Sequence, residues 1–105
     1  MAAAAADAMV TPDELLRGIR SDDWHIRVWV VDRLMARTRD DERLVPALLE
    51  ALRVDAAWQV RDQIAIALGR LVEDDRVSRA LSDAQDDECP EVRTSAGISL
   101  ENGER

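Results

Sequence analysis

Residues 55–71 read DAAWQVRDQIAIALGRL, and this stretch decides the fold because its pattern occurs three times in the chain. The aligned segments are SDDWHIR at 21–27, DAAWQVR at 55–61 and DECPEVR at 87–93, and the arginines that end them are 34 and 32 residues apart. Apolar residues follow four and eight positions after the residue that precedes each arginine; they are Val30 and Leu34, Ile64 and Leu68, and Ala96 and Leu100. This spacing is typical of one face of a helix and not of a strand.

A second helix precedes each of these three helices. Leu15, Leu49 and Leu81 lie at equivalent positions ahead of the aligned segments. The first helix begins with Thr11 as N-cap and Pro12 at its first position, and Glu14 completes a capping box. In the second pair, Asp40 or Asp41 can cap the helix. The pattern therefore predicts six helices, at about 12–20, 24–38, 42–53, 57–72, 74–84 and 89–101.

The composition agrees with a single all-α domain. The chain has 105 residues, of which 47% are hydrophobic, and this is enough for one continuous core. Tyr and Phe are absent and only three Pro and four Gly occur, which disfavours a sandwich or barrel. We expect an Ala-rich flexible tail at 1–10, a repeat domain at 11–101 and a polar end at 102–105. The repeats divide at about 11–38, 41–72 and 73–101.

The second unit has the most regular pattern. Its first helix reads VPALLEAL at 45–52, Asp55 lies in the turn, and Val60-Arg61 opens the second helix. This resembles the HEAT-repeat family, in particular the bacterial HEAT-like repeats of the phycobilin-lyase type. The resemblance implies a short right-handed α-solenoid of three HEAT-like helix pairs. It also implies a structural ladder of charge-assisted hydrogen bonds that involves the recurrent Asp and Arg residues, which are Asp55 with Arg61, Asp87 with Arg93, and Ser21 or Asp22 beside Arg27.

The charge pattern limits the classes of partner. The formal net charge is −8, and all fourteen basic residues are arginine, so a Schiff-base lysine and a phosphate-loop lysine are both excluded. Residues 73–91 hold eight carboxylates against two arginines. This segment would repel a nucleic acid and attract a basic protein surface.

The sequence contains no set of catalytic or metal-binding residues. His25 is the only histidine and Cys89 the only cysteine, and neither has a second ligand at metal-site spacing. We therefore expect no enzymatic activity, no metal and no cofactor. The N-terminus lacks the pattern of a signal peptide, and no run of about 18 apolar residues suggests a membrane span, which favours a cytoplasmic location.

The candidate binding surface lies on the side of the second helices that faces away from the core. In HEAT-like solenoids this is the concave face, and here it carries apolar residues beside carboxylates, as an acidic-rimmed groove requires. The candidate partner-binding residues are Val28, Asp32, Met35, Asp62, Ile66 and Ile98. Trp29 either packs in the seam at the N-terminal end or serves as an exposed anchor, whereas Trp24 and Trp58 are expected to wedge between repeats.

The sequence therefore predicts a non-enzymatic protein-protein interaction module or adaptor. Its concave surface would take a basic or amphipathic segment of another protein, and an open end near Trp24 and Trp29 offers a surface for a homodimer. One alternative is a chromophore-handling or substrate-handling factor related to the HEAT-like lyases. A second alternative is a nucleic-acid-binding HEAT-like protein, which the net charge of −8 disfavours.

Overall fold

A computed structural model describes residues 10–103 of the chain. These residues form six α-helices and a 3-10 turn, and no strand occurs in this range. The helices are α1 (Pro12–Gly18), α2 (Trp24–Ala36), α3 (Leu44–Val54), α4 (Trp58–Ala67), α5 (Asp75–Ala84) and α6 (Pro90–Gly103), with the 3-10 turn at Leu68–Leu71. All six predicted helices are present. The predicted tail at 1–10 lies outside the described residues except for Val10, which packs against the core.

Side-chain caps fix several helix starts. The Thr11 hydroxyl accepts the amide hydrogen of Glu14 at 3.1 Å, as the predicted N-cap requires. Asp23 and Asp74 likewise accept hydrogen bonds from the amides of His25 and Arg76, each at 2.9 Å. Asp41 accepts the amide of Arg43 at 2.9 Å, but it does so in the turn just before α3.

One helix is shorter than its sequence pattern indicates. The sequence pattern predicts a helix to residue 72, but α4 ends at Ala67 and the chain continues as the 3-10 turn. Gly69 lies in this turn, and glycine weakens a helix because it loses more backbone entropy than other residues. Apolar periodicity does not separate an α-helical turn from a 3-10 turn, so the apolar pattern alone predicts one continuous helix here.

The six helices stack as three pairs in two layers. The first helices α1, α3 and α5 form one layer, and the second helices α2, α4 and α6 form the other. The principal helix contacts lie within a pair or between adjacent pairs, as in a solenoid. One core runs between the layers, and its fully buried residues include Leu15, Leu34, Leu48, Ile64 and Leu81.

The expected arginine ladder joins the repeats. Arg27 donates two hydrogen bonds to the carboxylate of Asp55, at 2.8 and 2.9 Å, and a third to the carbonyl of Ser21. Arg61 repeats this arrangement with the carboxylate of Asp87, at 2.9 and 3.0 Å, and with the carbonyl of Asp55. Each arginine therefore closes its own inter-helix turn and binds the next one.

Candidate interaction surface

Two isoleucines are exposed at equivalent positions on adjacent helices of the second-helix layer. Ile66 on α4 is 53% exposed and Ile98 on α6 is 52% exposed, although both are large apolar residues. Each lies five residues after the ladder arginine of its repeat, so the two side chains occupy equivalent positions. We call the exposed side of α2, α4 and α6 the second-helix face. It is centred on this isoleucine pair.

Close packing of α4 on α6 brings the isoleucine pair together. The Ser99 hydroxyl donates to the carbonyl of Ala65 at 2.7 Å, and Ser99 itself is buried. A Cβ atom on Gly69 would lie only 3.1 Å from the Ser99 hydroxyl oxygen, so the glycine permits this close approach. Ile66 and Ile98 therefore lie at equivalent positions on two helices that pack directly against each other.

The second-helix face also carries carboxylates, and two of them join repeats. Asp32 accepts a hydrogen bond from the Gln63 side chain at 2.9 Å, and Asp62 accepts one from the Ser95 hydroxyl at 2.5 Å. These hydrogen bonds hold both carboxylates in place on the face that carries the isoleucine pair. Glu91 and Glu101 are exposed on α6, so the face is acidic around an apolar centre.

The structure contradicts one predicted site residue and places a second at the edge of the core. Met35 is only 8% exposed and belongs to the core, so it cannot meet a partner on this face. It lies four residues after the buried Val31, about 40° away around the helix, and the core extends to that angle. Val28 is half-buried and packs against the core. Of the six predicted residues, all except Met35 are therefore at least partly exposed; they are Val28, Asp32, Asp62, Ile66 and Ile98.

The three tryptophans have different surroundings. Trp29 is 45% exposed, and the guanidinium of Arg33 lies 3.9 Å from the centre of its ring, in a cation–π contact. Trp24 is half-buried against the core and stacks on the exposed His25 ring, with 3.8 Å between ring centres. Trp58 is 41% exposed, so the wedge expected for both Trp24 and Trp58 is incomplete at Trp58.

Sequence reasoning missed two depressions on the layer of first helices. One, of about 410 Å³, lies between α1 and α3 and is lined by Leu16, Ile19, Ala47 and Val54 among others. The other, of about 200 Å³, lies between α3 and α5, where Asp83 and Asp86 border an apolar floor.

The single histidine and the single cysteine make only local contacts. His25 Nδ1 lies 3.1 Å from the carboxylate of Asp23, and hydrogen bonds from the amide and ring of His25 lower the pKa of Asp23. The Cys89 thiol donates to Glu91 at 2.9 Å, which lowers the pKa of that carboxyl group. Between residues 10 and 103, no three His, Cys, Asp or Glu side chains converge to hold a metal ion.

The matched family agrees with this architecture. A family model described as HEAT repeats matches residues 11–101. The chain belongs to the HEAT-repeat family. HEAT repeats are generally protein-interaction modules and are generally not catalytic, and the match does not extend to the phycobilin-lyase type. No curated protein matches the sequence. Among the described residues, no helix of this HEAT stack has the length and apolarity to cross a membrane.

Proposed function

We propose that this HEAT-repeat chain is a non-enzymatic adaptor that binds a basic amphipathic helix of another protein on its second-helix face. The observation that supports this most directly is the exposed pair Ile66 and Ile98, aligned on adjacent repeats and bordered by carboxylates. A monomer gains nothing from leaving two large apolar side chains in water at equivalent positions. A partner that covers them gains stabilisation from apolar burial.

The geometry favours a helix as the bound element. Neighbouring helices pack about 8–10 Å apart, which is close to the rise of about 10.5 Å between apolar residues seven positions apart on an amphipathic helix. A helix laid across α4 and α6 would place apolar residues on Ile66 and Ile98. Its lysines and arginines would then face Asp32, Asp62, Glu91 and Glu101.

The free energies of apolar burial and of ion pairing indicate which contacts would supply the affinity and which would select the partner. Complete burial of an isoleucine is worth about 1.5–3 kcal/mol, and half-exposed side chains have about half of that still to gain. Exposed ion pairs contribute about 0–1 kcal/mol each and are weakened by salt. The isoleucine pair would therefore supply most of the affinity, and the carboxylates would select a basic partner.

A defined peptide tests this proposal. The probe is a fluorescein-labelled Leu/Lys amphipathic peptide of about four helical turns, and a scrambled peptide of the same composition controls for net charge. Fluorescence anisotropy should show binding of the amphipathic peptide that is at least tenfold tighter than binding of the scrambled one. The Ile66→Asp/Ile98→Asp double variant should lose this preference, because it removes the apolar centre and keeps the acidic border.

A matched variant controls for the added charge. Val54→Asp also replaces a half-exposed apolar residue, but it does so on the layer of first helices. It should bind the peptide as the unmodified chain does, and circular dichroism should show that all variants are folded. Equal affinity of the unmodified chain and the isoleucine double variant would refute a binding role for the second-helix face.

A further inference from the structure

The larger of the two depressions on the layer of first helices has the volume of a small-molecule site. It lies between the C-terminal halves of α1 and α3 and measures about 410 Å³. The depression between α3 and α5 measures about 200 Å³. Sites for small ligands are typically about 300–1,000 Å³, so the first of the two falls in this range and the second does not. We call the first depression the α1–α3 groove.

Apolar side chains line most of the α1–α3 groove. Leu16 and Ile19 of α1 and Ala47 of α3 are half-buried, and Val54 at the end of α3 is 55% exposed. A ligand that covers these side chains gains free energy, because it removes apolar surface from water. The groove therefore favours a ligand with an apolar chain.

Two arginines border this apolar surface. Arg17 and Arg20 line the groove and are exposed, and neither side chain makes an ion pair or a hydrogen bond with another residue of the described range 10–103. They lie three residues apart at the end of α1, so their side chains are neighbours. The planar fork of a guanidinium group matches the two oxygens of a carboxylate.

The two carboxylates in the lining do not neutralise these arginines. Glu50 forms an ion pair of 2.8 Å with Arg53, and Asp55 accepts the two hydrogen bonds of the ladder from Arg27. Both acids are thus engaged by other arginines. The groove keeps two positive charges beside its apolar lining, although the whole chain is strongly acidic.

The position at a helix end does not by itself account for the arginines. A helix C-terminus favours basic side chains. However, the residues of α5 that correspond to Arg17 and Arg20 are Asp83 and Asp86, which border the smaller depression. The repeat therefore does not require a basic residue at either position, and the two depressions differ in the sign of their charge.

We propose that the α1–α3 groove binds a small organic carboxylate with an apolar chain. The two carboxylate oxygens accept hydrogen bonds from Arg17 and Arg20, and the chain covers Leu16, Ile19 and Val54. This site lies on the layer of first helices, so it is separate from the second-helix face and does not depend on the function proposed for that face.

Octanoate is a suitable probe, and methyl signals in two-dimensional NMR locate its binding. The signals of Leu16, Ile19 and Val54 should shift on titration, and those of Ile66 and Ile98 on the second-helix face should stay in place. Octanoate should bind about fivefold to tenfold tighter than 1-octanol, because each exposed ion pair adds up to about fivefold. Acetate, which has the carboxylate but no chain, should bind more weakly than octanoate.

Charge variants test the two arginines. Arg17→Gln/Arg20→Gln should bind octanoate and 1-octanol with equal affinity, because the apolar lining remains and the carboxylate has no partner. Arg70→Gln/Arg79→Gln is the matched control, since it removes the same charge from two exposed arginines that do not line the groove. It should keep the preference for octanoate, and circular dichroism should show that both variants are folded.

An independent variant separates this site from the second-helix face. The Ile66→Asp/Ile98→Asp double variant should bind octanoate as the unmodified chain does, whether or not it binds the amphipathic peptide. The proposal would be overturned if octanoate caused no shift at its highest soluble concentration, or if the unmodified chain bound octanoate and 1-octanol equally. It would also be overturned if Arg17→Gln/Arg20→Gln kept the preference for octanoate, or if the shifts centred on Ile66 and Ile98.

Discussion

At the residue scale, the arginine ladder balances burial against hydrogen bonding. Arg61 is 6% exposed, and such a buried guanidinium is stable only if its donors are satisfied. Burial by itself would raise the pKa of Asp87, but hydrogen bonds from the Arg61 side chain and the Cys89 amide together lower it. The same pairing raises the pKa of Arg61. Both partners are therefore held in their charged forms.

Replacement of Asp87 by asparagine should destabilise the fold. Asp87→Asn removes the carboxylate that binds Arg61 through two hydrogen bonds and leaves only the exposed Glu88 carboxylate, 3.8 Å away. The free energy of unfolding at neutral pH should therefore fall by about 3 kcal/mol. Urea unfolding followed by circular dichroism measures this difference. Asp86→Asn is the control, because Asp86 is exposed and its side chain makes no ion pair among the described residues; it should change stability by less than about 0.5 kcal/mol.

The Asp87→Asn variant should also change how the free energy of unfolding depends on pH. The pKa of Asp87 is lower in the folded state than its ordinary value of 3.8, so the unfolded chain takes up the proton first. The stabilisation that the ionised Asp87 carboxylate provides is complete above pH 3.8, and it is lost as the pH falls through the pKa of Asp87 in the folded state. The stability difference between the unmodified chain and Asp87→Asn should therefore shrink below about pH 4. A constant difference from pH 7 to pH 2 would show that the Asp87 charge is not responsible.

At the scale of elements, two glycines have opposite roles in helix packing. A Cβ atom on Gly18 would lie 2.8 Å from Cγ2 of Val30, which is buried and stiff because it is β-branched. The equivalent atom on Gly97 would meet only the end of the Gln85 side chain, at 3.4 Å. Gly18 is thus required by the contact of α1 with α2, whereas Gly97 is an ordinary helix position.

Replacement of each glycine by alanine should change the free energy of unfolding in opposite directions. Gly18→Ala should lower the free energy of unfolding by about 1–3 kcal/mol, because Val30 or α1 has to move. Gly97→Ala should raise it by up to about 1 kcal/mol, because alanine is the better helix former. Denaturant titrations of the two variants provide a matched comparison, and a loss of stability in Gly97→Ala would contradict this account of α6.

The helices also show how much of the fold and of the candidate site the sequence could predict. The starts of the helices follow from local chemistry, such as Thr11 before Pro12, and the repeat follows from the spacing of its arginines. The burial of Met35 depends on how far the core extends around α2, and the early end of α4 depends on a 3-10 turn that apolar periodicity does not distinguish from an α-helical one. The sequence assigns Ile66 and Ile98 to one face, but the close packing of Ser99 against Gly69 between their two helices could not be foreseen.

At the scale of the whole molecule, the two ends of the ladder differ. Arg93 donates to the carbonyls of Asp87 and Glu88, and its side chain binds no carboxylate among the described residues. Ser21 occupies the place that Asp55 and Asp87 fill in the later repeats. A copy stacked head to tail would bring Arg93 to Ser21 instead of to an aspartate, so the ladder would not continue across such an interface.

The stack should unfold from its ends, because each pair is held only by its neighbours. Ile64 in α4 lies in the central pair, and Leu81 in α5 lies in the last; both are completely buried, and their replacement by alanine should cost about 2–5 kcal/mol. Hydrogen exchange followed by mass spectrometry should show that Ile64→Ala lowers the protection of all six helices, since both outer pairs pack on the central one. Leu81→Ala should lower protection mainly in α5 and α6, because α1 to α4 keep their mutual contacts. Equal loss of protection throughout the chain in both variants would instead mean that the three pairs unfold as one cooperative unit, in which the nearest-neighbour contacts are strong enough to prevent fraying.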